Sequence, residues 1–178
     1  MKNGMPPEIL GDLINRHSIG ILMTLMERND ELVEQVEEIA LEFITDIHED
    51  DIGNDLFCML DMIKVEYIWD HSGGTRDGYV DPNDLAWELF EEEVEPFLKE
   101  ARKLNELKLP HERDRYFMGI LKGLYKFKNE STSSYKDYVP DAPKETFESV
   151  VEEWKELSKD PEMVDEYVDE NFKGWMEK

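Results

Sequence analysis

Apolar residues recur in steps of three and four along almost the whole chain of 178 residues, in blocks set apart by Asn–Asp and Asp–Pro pairs and by glycine clusters. That spacing returns an apolar side chain to one side of an α-helix and does not match the alternation of a half-buried strand. The first block, Ile9, Leu10, Leu13, Ile14, His17, Ile21, Leu22, Leu25 and Met26, starts behind Pro6–Pro7 and ends at Asn29–Asp30. The same pair suits the cap of a second block, Leu32, Val33, Val36, Ile39, Ala40, Phe43, Ile44 and Ile47, whose outer side is filled with carboxylates. The short turn between them predicts an antiparallel hairpin.

The third block, Ile52 to about Trp69, is apolar on more than one side and fits either one central helix or two short ones joined near Lys64–Val65. Residues 70–81 hold three of the ten glycines and read as a loop, after which Asp81–Pro82 opens a long helix that Pro96 is expected to bend. Pro110 opens the helix that carries Phe117, Ile120, Leu121 and Leu124, and a second loop follows at 129–141. Asp141-Ala-Pro143 and Asp160–Pro161 start two terminal helices paired across a turn at Ser158 to Asp160. No strand and no repeat of fixed period is expected. The predicted class is all-α, with about seven helices in antiparallel hairpins forming an irregular bundle or a short helical-repeat-like array, as one domain over residues 1–178.

The formal charge of −24, from 44 acidic and 20 basic side chains, creates a field that repels phosphate backbones and anionic membrane surfaces, so nucleic-acid binding is disfavoured. Salt adaptation and ordinary acidity are equally compatible with this composition. Cys58, the single cysteine, sits in Leu-Phe-Cys-Met-Leu, leaves no disulfide to form within the chain, and is expected to act as a small core hydrophobe. The N-terminus has no apolar leader, and no run of about 18 apolar residues occurs, which together favour a cytoplasmic location without membrane association.

Motifs for catalysis are absent. His48-Glu49 and His111-Glu112 each lack the second histidine of a zinc helix, and there is no nucleophile elbow, phosphate loop or dinucleotide fingerprint. No cofactor is expected. His17, on the apolar stripe of the first helix, should be a partly buried imidazole bonded to a carboxylate or a carbonyl. The second half of the 70–84 loop, Asp77-Gly78-Tyr79-Val80-Asp81, resembles a calcium-binding EF-hand loop, and the resemblance implies Asp77, Asp81 and Asp84 as metal ligands. In that register Gly73 and Thr75 stand where the first and third ligands belong, and Asp84 replaces the longer bidentate Glu. The same residues also read without an ion, as a turn at Asp77–Gly78, docking of Tyr79 and Val80, and a helix cap at Asp81.

Residues 99–128 carry nine bases against four acids, a balance of +5, which leaves −29 on the remaining 148. Such an island either pairs with acidic neighbours within the fold or forms a docking face made by Arg113, Arg115, Lys122, Tyr125, Lys126 and Lys128 for an acidic protein or peptide. Gly119 and Gly123, one turn apart on the same helix, mark where another helix can approach most closely. The functional expectation is a non-enzymatic protein–protein interaction or scaffold module using this basic helical face. The alternative is a small enzyme or a ligand- or metal-binding protein with a pocket near the 70–84 loop. A homodimer is compatible with either.

Overall fold

The computed structural model describes residues 6–75 and 78–176. Among them are eight α-helices: α1 (Pro7–Met26), α2 (Asp30–Thr45), α3 (Glu49–Asp61), α4 (Val65–His71), α5 (Pro82–Glu106), α6 (Pro110–Glu130), α7 (Ala142–Leu157) and α8 (Pro161–Asn171). A 3-10 turn at Ser134–Asp137 and two short strands, β1 (Gly73–Thr75) and β2 (Gly78–Val80), complete them. The fold is all-α, as the periodicity requires. The chain divides into two compact units, residues 1–46 and 47–178.

The first unit is the α1–α2 hairpin. Asn29 caps α2 with its side chain accepting from the Glu31 amide at 3.2 Å, as an asparagine before a helix should. Helical dihedrals are interrupted within α1 at His17, where φ is −128° and ψ is 19°. His17 is exposed, so the expectation of a partly buried imidazole is corrected: its side of α1 is left uncovered. No residue of α2 is buried.

The second unit is built around α6, whose Phe117, Ile120, Leu121, Leu124 and Phe127 are fully buried. Along α3 and α6 the contacts advance together: Gly119 lies against Ile52, Gly123 against Leu56, and the Ser131 hydroxyl bonds Asp61. The two helices are therefore parallel. Helix α7 runs the other way along α6, with Trp154 Nε1 donating to Asp114 at 2.8 Å and its ring stacked on Phe117 at 6.0 Å between centroids. Helix α5 is joined to α6 by a short turn and is likewise antiparallel to it.

That turn contains Lys108 at φ 60°, the left-handed conformation, with Leu109 N donating back to Leu104 O at 3.0 Å. Helix C-termini ordinarily place glycine there because a Cβ costs about 1 kcal/mol in that region. Lys108→Gly is expected to raise the stability of this unit by about 0.5 to 1 kcal/mol in urea unfolding.

The third apolar block resolves into two helices, with Lys64 at the N-cap of α4, while α5 continues as helix through Pro96. Cys58 is exposed, correcting its reading as a core residue. At 100° per residue it falls roughly opposite the buried Leu56 and Leu60 on α3. The expectation of no strand is also corrected, since β1 and β2 pair antiparallel in the register Gly73↔Val80, Gly74↔Tyr79 and Thr75↔Gly78. Gly73 and Gly78 reach φ of 86° and 137° there, values that side chains with a Cβ rarely adopt.

The 129–141 loop is anchored rather than open. Tyr135 is fully buried and donates its hydroxyl to Ala86 O at 2.6 Å, and burial raises its pKa. Tyr167 differs, because its buried hydroxyl has no hydrogen-bond partner among the described residues. Burial pushes that hydroxyl up to about 12, with Glu49 adding to the shift. Tyr167→Phe removes a desolvated group without breaking a bond, so stability is expected to stay level or rise by about 1 kcal/mol in thermal unfolding.

Candidate functional site: an acidic groove between α5 and α7

Because α5 and α7 both run antiparallel to α6, they lie parallel to each other and leave a trough between them. Helical spacing sends Trp87, Glu91, Glu95, Leu98 and Arg102 of α5 toward it, and Glu145, Ser149, Glu153 and Glu156 of α7. One part of the trough, between Trp87 and Leu98 on α5, has a volume of about 760 Å³. A second part, sharing Ser149 and reaching Leu157, adds about 590 Å³. From Trp87 to Glu106 the groove follows α5 for roughly 28 Å at ~1.5 Å per residue.

Trp87, Val94 and Leu98 supply the apolar lining of the first part, and glutamates supply most of the rest. Nine glutamates and one arginine line the two parts. The Trp87 indole donates to Glu91 at 3.0 Å. Arg102 crosses the trough, binding Glu153 through Nε at 2.7 Å and Nη2 at 2.8 Å, while its Nη1 reaches Glu95 at 3.2 Å. The hydrogen bond to Glu153, working against burial, raises the Arg102 pKa. This fork-on-carboxylate geometry is the strong form of a charged hydrogen bond. Chemically, the groove can hold cations over an apolar strip. It offers hydroxyls from Thr146 and Ser149, but neither histidine nor cysteine lines it.

The side chains expected to form a basic docking face are engaged within the chain. Arg113 is 3% exposed and donates to Asn105 Oδ1, to Leu157 O and to Asp114. Arg115 reaches Ile47 O at 3.2 Å. Lys122 bonds Glu49 at 2.5 Å and Asp50 at 2.7 Å. Lys126 bonds Asn54 at 2.8 Å and lies 4.8 Å over the Phe57 ring, Lys128 bonds Pro140 O, and Tyr125 packs against Phe172 and Trp175. Lys122, Tyr125 and Lys126 do come together, in a cleft that also contains Asp50 and Glu130, so its charge is balanced.

Burial lowers the Lys122 pKa, but its bonds to Asp50 and Glu49 outweigh this and hold it up at about 12. The hydrogen bond from Lys122 lowers the Asp50 pKa from 3.8. A raised base stabilises below its unfolded value of 10.5 and loses this as pH rises through about 12. A depressed acid stabilises above 3.8 and loses this as pH falls below it. The stability difference between wild type and Lys122→Met is therefore expected to be flat from about pH 5 to about pH 9 and to shrink on acidification, followed by thermal unfolding across pH.

Of the residues in the loop that resembles an EF-hand, Asp77 lies outside the described residues. Asp81 Oδ1 accepts from the Asn83 amide at 2.8 Å and caps α5, and Asp84 sits exposed in the first turn of that helix. His71 Nδ1 lies 2.8 Å from Tyr67 O, with the two rings stacked at 4.0 Å. No group of three or more His, Cys, Asp or Glu among the described residues is placed to hold a metal ion. No described helix is long and apolar enough to cross a membrane. Comparison of the chain with protein-family models, with curated proteins and with solved structures finds no match.

Sequence reasoning missed the groove. Its glutamates look in the sequence like those on the solvated side of any other helix here, and only the packing of α5 and α7 on one face of α6 turns two such sides toward each other.

Proposed function

We propose that the protein is a non-enzymatic protein–protein interaction module, and that the groove between α5 and α7 receives a basic amphipathic helix of its partner. The observation that carries this is Arg102, whose guanidinium sits between Glu95 and Glu153 across the trough. A lysine or arginine of an incoming helix would meet carboxylates of the same kind on both α5 and α7, while its apolar stripe covers Trp87, Val94 and Leu98. The length suits a helix of about eighteen residues at ~1.5 Å each. Partner charge is then opposite to that expected for the 99–128 face. Docking of an acidic peptide there would require Lys122, Lys126 and Lys128 to leave the partners they already have.

The test is a binding titration with a leucine/lysine amphipathic helix of about that length. Glu91→Lys combined with Glu145→Lys is expected to weaken binding by about tenfold or more, and added salt should weaken wild-type binding steeply. Glu162→Lys combined with Glu170→Lys, which makes the same charge change on α8, should have a much smaller effect. Equal losses for both pairs would mean that net charge alone attracts the peptide, and the groove reading would be withdrawn.

A further inference from the structure

On the reading that the groove receives a basic helix, we infer that Arg102 is a displaceable plug: it holds the place of the partner's central cation, and docking requires it to swing out.

Among the described residues that line the two parts of the groove, Arg102 is the single base against nine glutamates. Its guanidinium already makes the contacts that a docked cation would make. Nε and Nη2 take both oxygens of Glu153 on α7, at 2.7 and 2.8 Å, and Nη1 reaches Glu95 on α5 at 3.2 Å. Glu95 lines the first part of the groove, whereas Arg102 and Glu153 line the second. The plug therefore stands where the two parts meet, and a continuous helix laid along both would bring its own cations against a like charge.

Two features make the plug removable. The Arg102 side chain is 43% exposed, unlike that of Arg113 at 4%, which is tied to the Leu157 carbonyl and to Asn105. Ion pairs in contact with water contribute little to stability, so Arg102 can leave without uncovering the core. Glu95 also has a second base, Lys99 Nζ at 3.8 Å. Departure of Arg102 then leaves Glu95 partly neutralised and Glu153 open to the incoming cation. The plug also selects among partners, because apparent affinity falls with the fraction of molecules in which the groove is closed. A lone cation gains nothing over Arg102, whereas a helix with an apolar stripe adds contacts to Trp87, Val94 and Leu98.

Nitrogen-15 NMR of the wild-type chain, titrated with the leucine/lysine helix, observes the plug directly. Bonded to Glu153, the Arg102 Nε–H is expected to exchange slowly with water in the free protein and about tenfold faster at saturation. Arg102→Gln should bind the helix about tenfold more tightly than wild type. Lys103→Gln, the same charge change on α5 at a base paired with Glu100, should stay within about twofold. An Arg102 signal that is unmoved at saturation overturns the inference, as does an Arg102→Gln protein with wild-type helical circular dichroism that binds no more tightly. If that variant loses helix, the wild-type signal decides alone. Binding that still depends on Glu91 and Glu145 would then leave the groove standing without its plug, while equal losses for the two charge-reversal pairs remove both.

Discussion

Gly119→Ala is expected to destabilise the α6-centred unit by about 3 kcal/mol, the upper part of the range for overpacking a tight core. A Cβ on Gly119 would stand 2.6 Å from Ile52 Cβ and 2.8 Å from Glu49 O. The second of these is backbone, so relief requires α3 itself to move away from α6, loosening Ile52 and Leu56 together. The gain in helix propensity, about 1 kcal/mol, offsets only part of that. Gly123→Ala, whose nearest neighbours would be at 2.9 and 3.0 Å, should cost somewhat less. Gly20→Ala on α1, with nothing within 4 Å, is the control that should be neutral or mildly stabilising. Urea unfolding monitored by circular dichroism ranks the three. A Gly119→Ala protein as stable as wild type would mean that the α3–α6 crossing is looser than described.

Arg113→Ala is expected to cost a similar amount, about 3 kcal/mol, because it removes one member of a buried charged network and leaves the others in place. The guanidinium ties α6 to the end of α7 through Leu157 O at 2.6 Å and to α5 through Asn105 at 2.9 Å. It also holds the Asp114 carboxylate, which accepts from Trp154 as well. Arg113→Lys keeps the charge but not the fork, and should recover about half of the loss. Chemical denaturation gives the ordering, and Trp154 emission reports whether Asp114 has moved. An Arg113→Ala variant within ~0.5 kcal/mol of wild type would mean that water replaces the network at little cost.

Much of this fold is written in the spacing of apolar residues. The stripe Phe117, Ile120, Leu121 and Leu124 marked α6 as central, and Gly119 with Gly123 marked its close neighbour. What the stripe could not carry was direction: nothing in α3 announces that it lies parallel to α6 rather than in a hairpin with it. Burial of particular residues was legible only where the neighbours were. Cys58 and His17 lie in apolar stretches, yet each is exposed, because exposure depends on which side of a helix finds a partner. The basic residues of 99–128 were visible as an island, but their partners, Glu49, Asp50 and Glu153, are contributed by helices distant in sequence. The groove was hidden for the same reason. Two acidic helix sides become a site only when a third helix holds them parallel.

Backbone hydrogen exchange of the full chain, with and without the leucine/lysine helix, is the most direct measurement of the docking claim. Added protection is expected along α5 from Trp87 to Glu106 and along α7 from Glu145 to Leu157, and it should disappear with Glu91→Lys and Glu145→Lys. Protection confined to α1 and α2, or spread evenly over the acidic helices, would contradict it.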